Sequence, residues 1–189
     1  MEPAAVSERD LVLRTRAGES AAFGELVERH MQRAYYSALG LVGSPEDARD
    51  LSQEAFVRAF RARAKLDPEF PFYAWLYQIL RRLCFNFTRD RKLHQQKLKD
   101  AASWLEHETR SRIGESDPAT KLERAETIAQ VQASIETLPD REREVLVLKE
   151  FEGLRYREIA DLLDIPIGTV MSRLYTARRH LATAIKEAT

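Results

Sequence analysis

With a single cysteine, Cys84, this chain of 189 residues can form no internal disulfide, and a reducing compartment is the simple expectation. Cys84 sits between Leu83 and Phe85 in a helical pattern and reads as core. No apolar run approaches the length that spans a bilayer, and the opening MEPAAVSERD lacks a basic segment followed by an apolar one, so neither membrane insertion nor export is expected. The expected location is the cytosol. The four histidines, His30, His94, His107 and His180, are scattered without metal-ligand spacing, and with only seven glycines no Gly-rich phosphate loop occurs. Nucleophile-elbow and HExxH patterns are missing too, so no catalytic residue, metal or cofactor is expected. Charge of either sign is not in excess: 30 basic residues balance 30 acidic ones. A nucleic-acid binder with that balance must concentrate its cations locally or take affinity from a partner.

Hydrophobic residues at 44% and charged residues at 32% suffice for compact helical cores, and the length suits two small domains with a linker. Ser7 can cap a first helix holding Leu11, Val12 and Leu13, and Ser20 a longer one that stops between Gly40 and Gly43. Ser44-Pro45-Glu46-Asp47 combines a cap, a first-turn proline and an acid at the third position, which starts a third helix running to about Ala64. Its inward residues are Ala48, Leu51, Ala55, Phe56 and Ala59. Asp47, Asp50, Gln53, Glu54 and Arg58 lie outward, as on any solvated helix face.

The stretch KLDPEFPFYAW, from Lys65 to Trp75, crowds two prolines with four aromatic residues and reads as an ordered loop before a helix from Ala74 to about Arg91. Phe70, Phe72, Tyr73 and Trp75 exceed what one small core requires, although a cluster covering the core accounts for them equally. Arginines 81, 82, 89 and 91 lie on the outside or at the end of that helix. Aromatic rings beside cations suit single-stranded nucleic acid, where bases stack and phosphates need neutralising. From Lys92 the text is charged and weakly patterned, ending in SRIGESDPAT, which is linker chemistry. Leu98, Ala102 and Leu105 can support a short helix within it. Lys121 to Thr137 is helical by pattern, and Leu138-Pro139-Asp140 starts another helix with Val145, Leu146 and Leu148 inward. The expected organisation is all-α: a domain over 1–91, a flexible linker over 92–120 and a second domain over 121–189.

The most informative stretch runs from Glu150 to Leu181. Tyr156, Ile159, Ala160 and Leu163 make an inward stripe, with a small residue where two helices must approach. A turn at Asp164, Ile165 and Pro166 leads into a second helix from about Ile167 through His180, whose inward stripe is Val170, Leu174, Ala177 and Leu181. This is a helix-turn-helix pattern. At about 100° per residue, Met171, Ser172, Tyr175, Thr176 and Arg179 fall on the outward side, with Arg173 and Arg178 on its shoulders, and Thr169 joins them as a candidate DNA-binding residue. Hydroxyls and an arginine can meet base edges in a major groove while flanking arginines neutralise phosphates. A solvated face has the same periodicity. The lack of any carboxylate between Gly168 and His180 favours the nucleic-acid reading.

Two blocks carry a resemblance to a known family. DLVLRTRAGESAAFGELVERHMQRAYYSALGLVGSPEDARDLSQEAFVRAFRA with PFYAWLYQILRRL in the first half, and LPDREREVLVLKEFEGLRYREIADLLDIPIGTVMSRLYTARRHL in the second, closely resemble bacterial sigma factors of the extracytoplasmic-function class. The resemblance implies a first domain that recognises the -10 promoter element as single-stranded DNA and a second that recognises the -35 element as duplex. It implies core RNA polymerase as partner, with Asp50, Gln53, Glu54 and Arg58 docked on the clamp helices of the β′ subunit and the β flap tip against the second domain. The loop from Lys65 to Tyr73, with Phe70, Phe72 and Tyr73, would hold an extruded base, and Arg81, Arg82 and Asn86 would lie near the opening strands. The linker would thread toward the catalytic cleft, and a separate anti-sigma protein would be the usual inhibitor. Two positions depart from the family's habit: Arg82 stands where asparagine is common, and Asp164 where glycine is common in the turn. An autonomous helix-turn-helix regulator is the alternative, and a helical adaptor without DNA dependence ranks last.

Overall fold

A computed structural model of the chain describes residues 6–105, 134–135 and 137–187. The described residues hold seven α-helices, one short 3-10 turn and no β-strand, as the all-α reading expects. In chain order the helices are α1 (Glu8–Arg16), α2 (Ser20–Val42), α3 (Pro45–Arg61), α4 (Phe72–Leu105), α5 (Asp140–Glu150), α6 (Tyr156–Leu163) and α7 (Ile167–Glu187), with the 3-10 turn at Arg63–Lys65.

Local chemistry explains the boundaries. Ser7 Oγ accepts the Asp10 N–H at 3.1 Å and so caps α1. Gly43 takes φ +76°, and its N–H closes α2 on the Leu39 carbonyl at 2.8 Å. Ser44 accepts the Asp47 N–H at 3.3 Å with Pro45 in the first turn of α3. Ser20 does not cap α2; Glu19 occupies that position without a side-chain bond. In the first domain α2 is central and packs on α1, α3 and α4. Leu11, Leu26, Leu41, Phe72, Leu76 and Leu80 are fully buried there. Cys84 is buried with them, and burial pushes its thiol up to about 12, in keeping with its reading as core.

In the second domain α6 and α7 close over α5. Ile159, Ala160 and Leu163 face Val170 and Leu174, and Ala177 joins Ile135, Leu138 and Leu146 in a smaller cluster that Leu181 covers. Two expectations shift. Helix α4 runs on through Leu105 instead of ending at Arg91, taking the first part of the expected linker into its backbone. Residues 106–133, with most of the helix expected over 121–137, lie outside the described residues. The halves also pack on each other. Helix α5 lies against α2, and a Cβ placed on Gly40 would come within 2.7 Å of Val147 Cγ1, so the close approach requires glycine.

Asp164 is the one non-glycine residue with positive φ among the described residues, at φ 52° and ψ 53°. Its short polar side chain tolerates the left-handed region, which costs about 1–2 kcal/mol for most L-residues. Asp164→Gly should therefore leave stability equal or slightly raised, whereas Asp164→Ile should lower it by about 1–2 kcal/mol. Denaturant midpoints of the variants check this, and equal midpoints for glycine and isoleucine would contradict the strained-turn account.

Candidate nucleic-acid interface

Asp164 turns the chain so that α7 crosses α6 with its apolar stripe inward. The Ile165 N–H reaches the Ala160 carbonyl at 3.1 Å, and the Thr169 N–H reaches the Pro166 carbonyl at 2.8 Å to begin α7. The outward face matches the angular assignment for Met171, Ser172, Tyr175 and Arg179, but not for Thr176. Met171 and Tyr175 are 53% and 68% exposed, and Ser172 and Arg179 are exposed too. Thr169, Arg173 and Thr176 are half-buried at the edges. The Ser172 hydroxyl donates to the Thr169 carbonyl at 3.1 Å and the Thr176 hydroxyl to the Ser172 carbonyl at 2.9 Å, which leaves both oxygens as acceptors for an incoming donor. Arg178 is not free: Glu150 of α5 pairs with it at 2.8 Å, a carboxylate that the α7 sequence alone does not show. Both partners are about half exposed, so the pair is weak and a phosphate can replace the carboxylate.

On the first domain the expected single-strand set divides. Phe70 projects from the loop at 66% exposure, and Arg82 and Asn86 are exposed on α4. Phe72 does not belong with them. Helix α4 begins at Phe72, two residues earlier than expected, and that turn points the ring into the core against Phe23, His30 and Trp75. Tyr73 is 3% exposed, so it too is closed to a base in this arrangement. Its ring lies under Arg33, 3.8 Å from the guanidinium carbon, and its hydroxyl meets Ser37 Oγ at 2.8 Å. Trp75 is partly buried against the core, as a packing residue should be.

On α3, Asp50, Gln53 and Arg58 are exposed and Glu54 is half-buried, which makes a polar face. Arg58 pairs with Glu54 at 2.7 Å one turn away, an exposed i,i+4 pair worth a few tenths of a kcal/mol, about 0.3–0.5.

The polar groups that sequence reasoning missed lie between the halves. Glu144 of α5 is fully buried, and Arg81 grips it with both nitrogens, Nε to Oε1 at 2.5 Å and Nη2 to Oε2 at 2.7 Å. The Tyr77 hydroxyl donates to the same carboxylate at 3.4 Å. Beyond the end of α5, Glu152 accepts from Arg33 Nε at 2.6 Å, from the Tyr73 hydroxyl at 2.9 Å and from the Ser37 hydroxyl. Burial, with a neighbouring carboxylate second, pushes both phenols well above their ordinary value, so Tyr73 and Tyr77 stay protonated donors. Gln78 Nε2 donates to the Leu162 carbonyl at 2.7 Å, and the buried Arg143 donates to the Leu41 carbonyl at 2.8 Å. Arg81, assigned to the opening strands, is thus occupied by the second domain. No local pattern reveals partners so far apart in sequence.

The family comparisons fit this geometry. The profile described as Sigma-70 region 2 matches residues 26–94, and that of Sigma-70, region 4, matches residues 128–181. RNA polymerase sigma-H factor of Pseudomonas aeruginosa is 32% identical over 182 residues, spanning 95% of this chain and 94% of that protein. The ECF RNA polymerase sigma-E factor of Escherichia coli K12 is 31% identical, spanning 96% and 95%. The chain belongs to the extracytoplasmic-function class of RNA polymerase sigma factors. CnrH, solved in complex with the cytosolic domain of CnrY, superposes with a TM-score of 0.67 at 26% identity over 96% of this chain and 99% of its own. A sigma factor of Bartonella quintana, solved with the anti-sigma factor NepR, shares the fold with a TM-score of 0.59 at 21% identity over 87% and 96%. This sigma factor therefore acts in promoter-specific transcription initiation by RNA polymerase.

The division of the aromatic loop has a direct consequence. Phe72→Ala should cost about 3–5 kcal/mol, as expected for a fully buried ring, whereas Phe70→Ala should stay within about 0.5 kcal/mol of the parent. Thermal melts of the pair decide it, and equal melting temperatures would return Phe72 to the surface.

Proposed function

We propose that the sigma factor reads duplex -35 DNA with the outward face of α7 and captures the single-stranded -10 element on the first domain. The observation that carries the reading is α7 itself: an exposed face of hydroxyls, arginines and two large apolar side chains with no carboxylate of its own between Gly168 and His180. Ser172 and Arg179 sit centrally and face bases, with Met171 and Tyr175 for apolar contact and Thr176 at the edge of the same face. Thr169, Arg173 and Arg178 lie at the margins and contact the backbone. On the first domain, Phe70 offers a stacking ring and Arg82 and Asn86 polar contacts, while Arg81 and Tyr73 contribute only after release from the second domain. The face of Asp50, Gln53, Glu54 and Arg58 docks on the β′ clamp helices of core polymerase, and the β flap meets the second domain. Inhibition by a separate anti-sigma protein belongs to the same reading, in line with the NepR complex of the Bartonella relative. The work is binding, carried out in the cytoplasm where polymerase is. No helix among the described residues is long and apolar enough to cross a membrane.

Substitutions separate the two faces. In run-off transcription over a library of -35 variants, Arg179→Ala and Ser172→Ala should reorder the preferred sequences, with about 1–3 kcal/mol lost per base contact. Arg173→Ala should weaken all of them alike. An unchanged ranking would show that the base-reading side has been placed wrongly. With duplex promoters, Phe70→Ala should reduce open-complex formation by about tenfold, one stacking contact being worth about 1–3 kcal/mol, and pre-melted promoters should recover the loss. Permanganate footprinting reads this, and full opening by the variant reduces Phe70 to a loop residue. The neutral chain without polymerase should bind promoter duplex poorly at physiological salt; tight sequence-specific shifts by the free chain would favour an autonomous regulator.

A further inference from the structure

We propose that Glu8, at the start of α1, is a positioning residue for the -10 strand: it supplies from another helix the cap that Pro71 cannot give to α4, and so fixes which ring of the aromatic loop faces outward. The inference rests on Phe70 lying on the single-strand surface. Pro71 stands just before α4, and its carbonyl accepts the Ala74 and Trp75 N–H groups at 3.1 and 3.4 Å. Its side chain offers no oxygen. The place that usually carries a serine, threonine or acid therefore cannot serve the first N–H groups of the helix, which have no partner within it. Glu8 Oε1 accepts the Phe72 N–H at 2.8 Å, across 64 residues of sequence. A carboxylate there also suits the positive end of the helix dipole.

The same carboxylate is tied to α2. Glu8 Oε2 lies 3.0 Å from His30 Nε2, and since an ionised carboxylate only accepts, that nitrogen carries the hydrogen. Burial holds the imidazole below its ordinary value, which keeps it neutral against the start of α4, with its centroid 5.4 Å from that of Phe72 and 5.8 Å from that of Tyr73. Arg29, beside His30, donates to the Val6 carbonyl at 2.8 Å and pins the chain before α1 to the same helix. Arg9 then reaches the loop itself, Nη2 to Glu69 Oε1 at 2.7 Å and Nη1 to Oε2 at 3.4 Å. Neighbouring residues of α1 thus hold Glu69 and Phe72, and only Phe70 and Pro71 lie between the anchors. Arg9 and Glu69 are 61% and 63% exposed, so that pair contributes little. The placement depends on Glu8. Without it the first turn of α4 is free to unwind, and the loop that carries Phe70 loses its fixed end.

The test uses the full chain with core polymerase. Glu8→Ala should lower open-complex formation on duplex promoters by up to about tenfold, the limit set by the one stacking contact it positions, and should flatten the ranking of -10 variants. Core affinity and the ranking of -35 variants should match the parent. Glu8→Gln keeps an oxygen for the Phe72 N–H and should restore most of the loss. Amide hydrogen exchange adds a readout that needs no DNA: the Phe72 N–H should exchange at least about tenfold faster in Glu8→Ala than in the parent or in Glu8→Gln. In a Phe70→Ala background Glu8→Ala should cost nothing further, because both act through one contact. Losses that multiply in the double variant overturn the proposal, as does an unaltered Phe72 exchange rate or a Glu8→Gln chain as impaired as Glu8→Ala. Loss of core binding by Glu8→Ala makes Glu8 a residue of the fold and overturns it too. Failure of the underlying reading is distinct: Phe70→Ala then opens duplex promoters at the parent's rate whatever Glu8 does, and the proposal falls with it.

Discussion

Helix α5 is buried on all sides, and the arrangement of both halves depends on it. Six consecutive residues from Arg143 to Leu148 are buried, a pattern that only a helix enclosed by neighbours on every face can show. On one side its apolar residues support α6 and α7; on the other Val147 meets Gly40 of α2. Between these lie Arg143 and Glu144, a cation and an anion that must each find partners where water is excluded. Arg143 finds carbonyls and Asp140, and Glu144 finds Arg81 and Tyr77. Removing one member of such a pair leaves a buried charge unmatched, at a cost of about 3–5 kcal/mol, whereas parting the domains returns both to solvent. The seam is therefore intolerant of a missing partner and tolerant of opening.

This explains which parts of the structure were legible in the sequence. The helix-turn-helix was readable almost residue by residue, because α6 and α7 are each buried on one side only and their stripes keep the helical period. Tyr156, Ile159, Ala160 and Leu163 faced inward as expected, and the turn fell at Asp164. Helix α5 was half legible: Val145, Leu146 and Leu148 were placed correctly, but the burial of Arg143, Glu144 and Val147 was not anticipated. Burial from two directions erases the contrast on which periodicity depends, and charged residues in a core look like surface until their partners are seen.

The aromatic loop failed for a different reason. Its composition announced an excess of rings but not which of them the backbone would turn outward. Pro71 stands just before α4 and the helix begins at Phe72, so Phe72 and Tyr73 take helical positions and face the core, while Phe70 remains on the loop. One residue of difference in a helix start exchanges a solvent-facing ring for a buried one. Leu98, Ala102 and Leu105 suggested a separate short helix, but not its continuity with α4, because the charged stretch between lacks the apolar stripe that identifies a helix.

Arg81 joins these strands of argument. Its sequence position, on α4 beyond the aromatic loop, assigns it to the opening DNA; its structural position assigns it to Glu144. The first assignment rests on the family resemblance, the second on the contact itself. A guanidinium that stays charged at any accessible pH needs an anionic partner in each state of the protein. In this structure the partner is a carboxylate from the second domain. A protein whose charges sum to zero has no general attraction for nucleic acid, so its cations act only where they are locally concentrated or where a partner adds affinity. The neutral balance of the sequence and the occupied arginine at the seam share one consequence: neither leaves a general cationic surface for nucleic acid.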